Sequence, residues 1–248
     1  MCTDQRSTAS SRRVRVVVLA GGKGTRLRPY TAALPKPLMP VGDLPILEII
    51  LKQLCHHGFH QVTLAVGHLA ALIQAYFGDG SRWGIELDYF VEETSLGTAG
   101  ALGPIADGAD TYLVMNGDVL TTLPFAKAVE HHSLAENAAT VAVCSRTVDV
   151  ALGIVETDDA NRIMAYREKP VLTYSASMGV YVLGARAVAR IGDKQHMDMP
   201  DLLNELINDG ERVGAFRFDG YWRDIGNHDD YERVCAEYPE METSLLPE

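Results

Sequence analysis

The chain has 248 residues, 47% of them hydrophobic, and a formal net charge of −11; that is enough apolar material for one large globular unit or two small ones. The acidic balance argues against a general nucleic-acid binder, which needs a basic face to displace counterions, and no apolar stretch approaches the roughly 20 residues of a membrane helix. Four scattered cysteines, Cys2, Cys55, Cys144 and Cys235, lack CxxC spacing and so suggest neither a zinc knuckle nor a disulfide framework.

Residues 1–13, MCTDQRSTASSRR, have arginines but no apolar block followed by a small-residue cleavage site. They read as a disordered tail on a cytoplasmic protein. Short apolar runs then alternate with longer amphipathic segments. RVVVLA (15–20), QVTLAVG (61–67), IELDYFV (85–91) and TYLVMNGD (111–118) are predicted strands, being short, rich in β-branched or aromatic residues and bounded by Gly, Asp or Asn. PILEIILKQLCHHG and HLAALIQAYFGDG are predicted helices, and TAGALGPIA a shorter one. This alternation implies right-handed crossovers and a doubly wound, mostly parallel, Rossmann-like α/β sheet.

From about residue 139 the text becomes strand-rich: ATVAVCS, GIVETDD, RIMAYREKP and SASMGVYVLG follow one another with short turns. They predict a more antiparallel extension that forms the other wall of a cleft. A helix near 199–208, a strand RVGAFRFDG and a capped helix closing YWRDIGNHDDYERV complete the chain. With no Pro- or Ser-rich linker and no internal repeat, residues 14–248 are predicted to be a single domain, with 14–138 and 139–235 as its two halves.

Residues 14–41 contain Arg15, Lys23, Arg26, Arg28 and Lys36 and no Asp or Glu, while the rest of the folded chain is acidic. A local cationic site on an acidic body suits a small polyanion. Within it, LAGGKGTRLRP fails as a Walker loop, because Lys23 stands inside the glycines instead of after them. It is also weak as a dinucleotide fingerprint, whose sixth position is here Leu27. A tight turn with no ligand remains open. Even so, a glycine loop after the first strand of a parallel sheet sits where such sheets bind ligands, and its amides can approach phosphate oxygens. Pro35 and Pro37 restrict the backbone around Lys36 and would hold it in a fixed presentation. The pairs His56-His57 and His131-His132 lack a third ligand at metal spacing.

LAGGKGTRLRPYTAALPKPLMPVGDLPILE resembles the signature of the sugar-1-phosphate nucleotidyltransferases, the NDP-sugar pyrophosphorylases. SLGTAGAL (95–102), NGDVL (116–120), GIVE (153–156), REKP (167–170), MGVYVL (178–183) and WRDIGNHDDY (222–231) resemble that family's later blocks in the right order. The resemblance implies a nucleotide half (14–138) and a sugar-phosphate half (139–235), with a nucleoside triphosphate and a sugar-1-phosphate as partners and Mg²⁺ as cofactor. It implies that Asp118 and Asp224 are the magnesium ligands. Arg26 would stabilise the leaving pyrophosphate, with Lys23 beside it and Lys36 reaching the phosphates. The backbone of Leu19, Ala20, Gly21 and Gly22 would line the nucleotide, and Gly97 and Thr98 would approach the base. Asn116, Gly153, Glu168 and Lys169 would bind the sugar and its phosphate.

Simpler readings stand beside these. Asp118 fits an Asx-turn or helix cap, Asp224 a surface carboxylate paired with Arg223, and Thr98 a plain N-cap. Ser177-Met178 stand where the family usually has Asn, and Asn227-His228 where Thr-Pro is common. The wording of LGTAGAL favours a guanylyltransferase acting on a mannose- or heptose-type phosphate, with uridylyl, thymidylyl and cytidylyl transfer open. A non-catalytic nucleotide-sugar-binding subunit is the rival class, expected to lose Arg26, Lys36 or a metal Asp. The hexapeptide-repeat domain of some relatives is not in this sequence, which predicts a single activity; a homo-oligomer is compatible with everything above.

Overall fold

The computed structural model describes residues 13–246. The tail predicted for 1–13 therefore lies outside the described residues apart from Arg13, whose backbone N–H donates to Asp110 at 2.9 Å and whose guanidinium donates to the Asp107 carbonyl at 2.7 Å.

A seven-stranded sheet organises the chain. Its strands are β1 (Val14–Ala20), β2 (Gln61–Val66), β3 (Glu86–Val91), β4 (Thr111–Asn116), β5 (Ala139–Asp149), β6 (Val171–Gly184) and β7 (Val213–Arg217). Across the sheet the order is β7-β5-β6-β4-β1-β2-β3. Only β6 runs against the rest; it pairs antiparallel with β4 and β5, and every other ladder is parallel. The five main helices are α1 (Ile46–His56), α2 (Ala70–Phe77), α3 (Phe125–Leu134), α4 (Met199–Asn208) and α5 (His228–Leu245).

The apolar run of β1 is continuous because both of its faces are covered. Val16, Val18 and Ala20 enter one hydrophobic cluster with α1, α2 and α5, and Val17 enters a second with Ala99, Leu102, Leu202 and Leu206. α1 forms where Ile46, Leu47, Ile49, Ile50, Leu51 and Leu54 are all buried, and the chain leaves it through Gly58 at φ 83°.

The strand-rich second half is continuous with this sheet, since β5, β6 and β7 extend it edge to edge. What projects from it is the hairpin of strands Ile154–Thr157 and Ile163–Arg167, together with the outer ends of β5 and β6. β6 is longer than its sequence block suggested because its first half pairs with β5 beyond the core. α3, entered through Pro124 with its first residue Phe125 buried, had no strong periodic signal. TAGALGPIA divides into two short helices, Gly97–Gly100 and Leu102–Ile105.

Glycines set how closely these two turns approach the chain before α4. Gly97 has φ 77°, and a Cβ on it would lie 2.5 Å from the Met197 carbonyl oxygen; one on Gly100 would lie 2.3 Å from that of Gln195. Gly97→Ala combines this clash with a left-handed backbone costing about 1–2 kcal/mol. It is expected to lower the melting temperature by about 5 °C or more in a calorimetric scan.

Candidate active site

β1 has β2 on one side and β4 on the other, so the direction of strand succession reverses between β1 and β4. Sheets of this kind bind ligands at that point, outside the carboxyl ends of the strands. Glycines let three loops meet there. The Gly117 N–H donates to the Leu19 carbonyl at 2.8 Å and the His68 N–H to that of Gly21 at 3.2 Å. Added Cβ atoms on Gly117 and Gly67 would come within 2.9 Å of the same two oxygens.

Beneath these loops lies a cavity of about 710 Å³. Among the residues implied by the sequence resemblance, Leu19, Ala20, Gly21, Gly22, Lys23, Arg26, Lys36, Gly97, Thr98, Asn116 and Asp118 line it. Lys23 and Arg26 are exposed and make no ion pair among the described residues, which leaves both charges available to an anionic ligand. Around Gly22 nothing stands within 4 Å of a Cβ position, so that glycine keeps the cavity open.

Lys36 behaves differently from the two exposed cations. It sits between buried Pro35 and Pro37 in a 3-10 turn, its side chain only 10% exposed, and its Nζ contacts Asp118 Oδ2 at 2.5 Å. The other oxygen, Asp118 Oδ1, is buried and has no hydrogen-bond partner. Asp224 closes the group. Strand Trp222–Asp224 pairs antiparallel with strand Val119–Thr121, putting Asp224 opposite Val119, and the Ile225 N–H donates to the Asp118 carbonyl at 3.0 Å. Desolvation, followed by the Asp118 charge, holds the Asp224 carboxyl above its usual range, against the opposing pull of Lys36 and Arg26. Arg223, which the sequence could have paired with Asp224, is bound bidentately by Glu237 at 2.9 and 2.7 Å.

Two carboxylates crowd together here, and one of them carries an orphaned buried oxygen; such a donor set fits a hard divalent cation. No group of three His, Cys, Asp or Glu side chains is assembled among the described residues. The remaining oxygens would have to come from substrate and water, as is usual for Mg²⁺.

The other implied residues lie elsewhere or do additional work. Thr98 does not cap its own short helix. Its hydroxyl accepts the Met199 N–H at 2.7 Å at the start of α4, while its own N–H donates to Asp198 Oδ1 at 3.0 Å. Asn116 lies against Gly179, where a Cβ would come within 2.6 Å of its amide nitrogen. Gly153, Glu168 and Lys169 are on the projecting hairpin and its exit, outside the cavity lining. There the Tyr166 hydroxyl donates to Glu168 at 2.9 Å, close beside Gly153. His68, Glu92, Glu93, Ser95 and Asp198 also line the cavity and were missed. Asp198 had a legible signal, as the N-cap of a capping box opening MPDLLNEL.

The Nucleotidyl transferase family profile matches residues 15–241, so the chain belongs to that family. Several of its relatives are named as sugar-1-phosphate nucleotidyltransferases. A UTP–glucose-1-phosphate uridylyltransferase of Synechocystis is 35% identical over 88% of this chain and 61% of its own length. A mannose-1-phosphate guanylyltransferase of Mycobacterium tuberculosis is 33% identical over 92% of this chain and 65% of its own. The chain thus spans about three-fifths of the length of the curated relatives it matches. In structure it is similar to a putative glucose-1-phosphate thymidylyltransferase from Bacillus anthracis, with TM-score 0.73, 25% identity, and coverage of 90% of this chain and 94% of that one. HddC from Yersinia pseudotuberculosis, crystallised with GMP-PN, shares the fold at TM-score 0.71 and 23% identity, covering 91% of this chain and 99% of its own.

The raised Asp224 carboxyl has a stability consequence. Because its folded pKa lies above its unfolded one, ionising it opposes folding, and that penalty appears as pH rises through the carboxylate range and stays at neutral pH. Asp224→Asn is therefore expected to melt slightly above the parent at pH 7 without divalent cation, with the gap closing as pH falls to about 3–4. Differential scanning fluorimetry across pH checks this.

Proposed function

We propose that this protein is a Mg²⁺-dependent sugar-1-phosphate nucleotidyltransferase, joining a nucleoside monophosphate from a triphosphate to a sugar-1-phosphate and releasing pyrophosphate. The observation that carries this reading is the juxtaposition, at one sheet edge, of two unpaired cations with the Lys36–Asp118–Asp224 cluster. In the reaction a sugar-phosphate oxygen bonds to the α-phosphorus as the bond from that phosphorus to the bridging oxygen breaks. The bridging oxygen leaves with the β- and γ-phosphates. No protein nucleophile is required; the chain must bring two polyanions together, align them and spread charge.

Amides of the Leu19–Gly22 segment face the phosphates, and Lys23 and Arg26 hold the pyrophosphate as negative charge grows on it. Lys36, fixed by its prolines, offsets negative charge beside the α-phosphate. Asp118 and Asp224 would hold Mg²⁺, which when bound supplies charge neutralisation between the α-phosphate and the sugar phosphate. Gly153, Glu168 and Lys169, on the projecting hairpin, receive the sugar-1-phosphate, with Asn116 at its inner edge. The rival reading of a non-catalytic subunit is disfavoured because Arg26, Lys36, Asp118 and Asp224 are all retained. No helix among the described residues is long and apolar enough to cross a membrane.

For the base, guanine is favoured, and the cavity offers a reason. Glu92 and Glu93 line its end near Gly97; the Leu96 N–H donates to Glu92 Oε2 at 3.0 Å, and Oε1 stands beside Gly21. Carboxylates only accept hydrogen bonds. Guanine offers them adjacent N1–H and N2–H donors, whereas uracil and thymine offer one N–H flanked by two carbonyl oxygens that a carboxylate repels. The uridylyltransferase and thymidylyltransferase relatives keep those bases as the second reading. Mannose- or heptose-type acceptors rest on the wording of the SLGTAGAL block.

A matrix of GTP, UTP, dTTP, CTP and ATP against mannose-, glucose- and heptose-1-phosphates with Mg²⁺, scored by pyrophosphate release, tests the assignment; GTP with a mannose- or heptose-type acceptor is expected to lead. Silence across the matrix would refute catalysis. Asp118→Asn is expected to lower turnover by about 100-fold or more with the circular dichroism spectrum unchanged. Glu92→Gln is expected to shrink the GTP/UTP ratio of kcat/KM by about tenfold, the worth of one charge-assisted hydrogen bond. An unchanged ratio removes Glu92 from base selection.

A further inference from the structure

We infer that His228 and Tyr231, at the start of α5, are positioning residues that brace the segment carrying Lys36 and thereby set its distance from Asp224. The inference rests on the reaction proposed above.

Residues 28–40 have little ladder of their own to hold them: two isolated 3-10 turns, Tyr30–Ala32 and Lys36–Leu38, interrupt otherwise irregular chain. Pro35 to Met39 are buried, but the flanks at Arg28–Tyr30 and at Pro40 are exposed, and exposed irregular chain opens easily unless tied from outside. Two such ties come from α5. His228 Nε2 lies 2.6 Å from the Arg28 carbonyl oxygen, an acceptor only, so Nε2 must carry the proton and donate it. The Tyr231 hydroxyl donates to the Pro40 carbonyl at 2.6 Å. The two tied carbonyls bracket Lys36 in sequence. Between them the Tyr30 ring packs against both side chains, with centroids 5.5 Å from His228 and 6.1 Å from Tyr231.

α5 is itself anchored to the strand that bears Asp224. Glu237 binds Arg223, the residue before Asp224, through two hydrogen bonds, and Val234, Tyr238 and Leu245 are buried in the larger core cluster. Its first turn is capped by Asn227, whose side chain accepts the Asp230 N–H at 3.0 Å. Next to that cap, Arg26 Nη1 lies 3.6 Å from where a Cβ on Gly226 would stand. One helix thus touches the cationic segment and the Asp224 strand, and the spacing between them depends on its first turn. Asn-His serves this purpose as Thr-Pro would not: Asn retains the cap, and the imidazole supplies a side-chain donor that proline lacks.

The test uses His228→Ala, His228→Gln and Tyr231→Phe in the full chain. Hydrogen exchange of amides 25–39, followed by mass spectrometry without substrates, is expected to quicken in His228→Ala and Tyr231→Phe and to return toward the parent in His228→Gln, whose amide nitrogen can reach the same carbonyl. In turnover, His228→Ala is expected to lose about ten- to a hundredfold in kcat with a smaller change in KM, because misplacement by about 1 Å costs rate more than binding; Gln restores most of it. Unchanged exchange in both His228→Ala and Tyr231→Phe overturns the brace. So does a Gln variant as impaired as Ala, which would mean that ring packing alone matters. Exchange needs no turnover, so an inactive parent would defeat the proposed reaction while the brace could still be judged.

Discussion

The Lys36–Asp118 contact at 2.5 Å joins the two parts of the site. It links a lysine held between prolines to the carboxylate at the end of β4, on opposite sides of the crevice that the strand order opens. Removing Lys36 would leave two crowded carboxylates without the cation that offsets them. Lys36 contacts only one of the two, however. Asp224 is brought alongside by a separate strand, and burial and the Asp118 charge keep its carboxyl raised. The folded protein therefore carries an excess of negative charge at one point and free positive charge, Lys23 and Arg26, a short way along the same cavity. That polarity is what the proposed reaction asks of the site, with phosphates approaching the cations and a divalent ion at the carboxylates.

Backbone contact accounts for much of the rest. Gly21, Gly67 and Gly117 let three strand ends touch, and Gly97 and Gly100 let a pair of short helical turns press against the chain before α4. Gly22, by contrast, has open space around it. Glycine in this protein thus has two distinct uses, one to close the wall of the cavity and the other to leave room inside it. Helix α5 then links two segments of the site, since Glu237 binds Arg223 beside Asp224 while the helix's first turn bonds the Arg28 and Pro40 carbonyls.

Much of the architecture was legible because period and punctuation agreed. Strands β1 to β4 and helix α1 fall within a residue or two of the runs that suggested them, and β7 and α2 each end three residues short of theirs. Elements whose sequence lacks such agreement were not: α3, with a short apolar face in EHHSLAEN text, and the pairing of Val119–Thr121 with Trp222–Asp224, a contact about 100 residues apart that no local pattern encodes. At the site, the residues of the glycine loop and of NGD could be read as motifs. Glu92 and His68 could not, since their place in the cavity follows from how three loops meet.

By itself the sequence determined the alternation of strands and helices, the cationic loop after the first strand and the family to which the motifs belong, because each is carried by local periodicity, charge or residue order. Tertiary structure alone decided which charges neutralise one another. It gave Arg223 to Glu237, leaving Asp224 to Asp118; it turned Thr98 toward α4; and it set Lys36 against a carboxylate while Lys23 and Arg26 stayed unpaired. A paired contact needs charged groups within about 4 Å, and which groups come that close is a property of packing between distant segments.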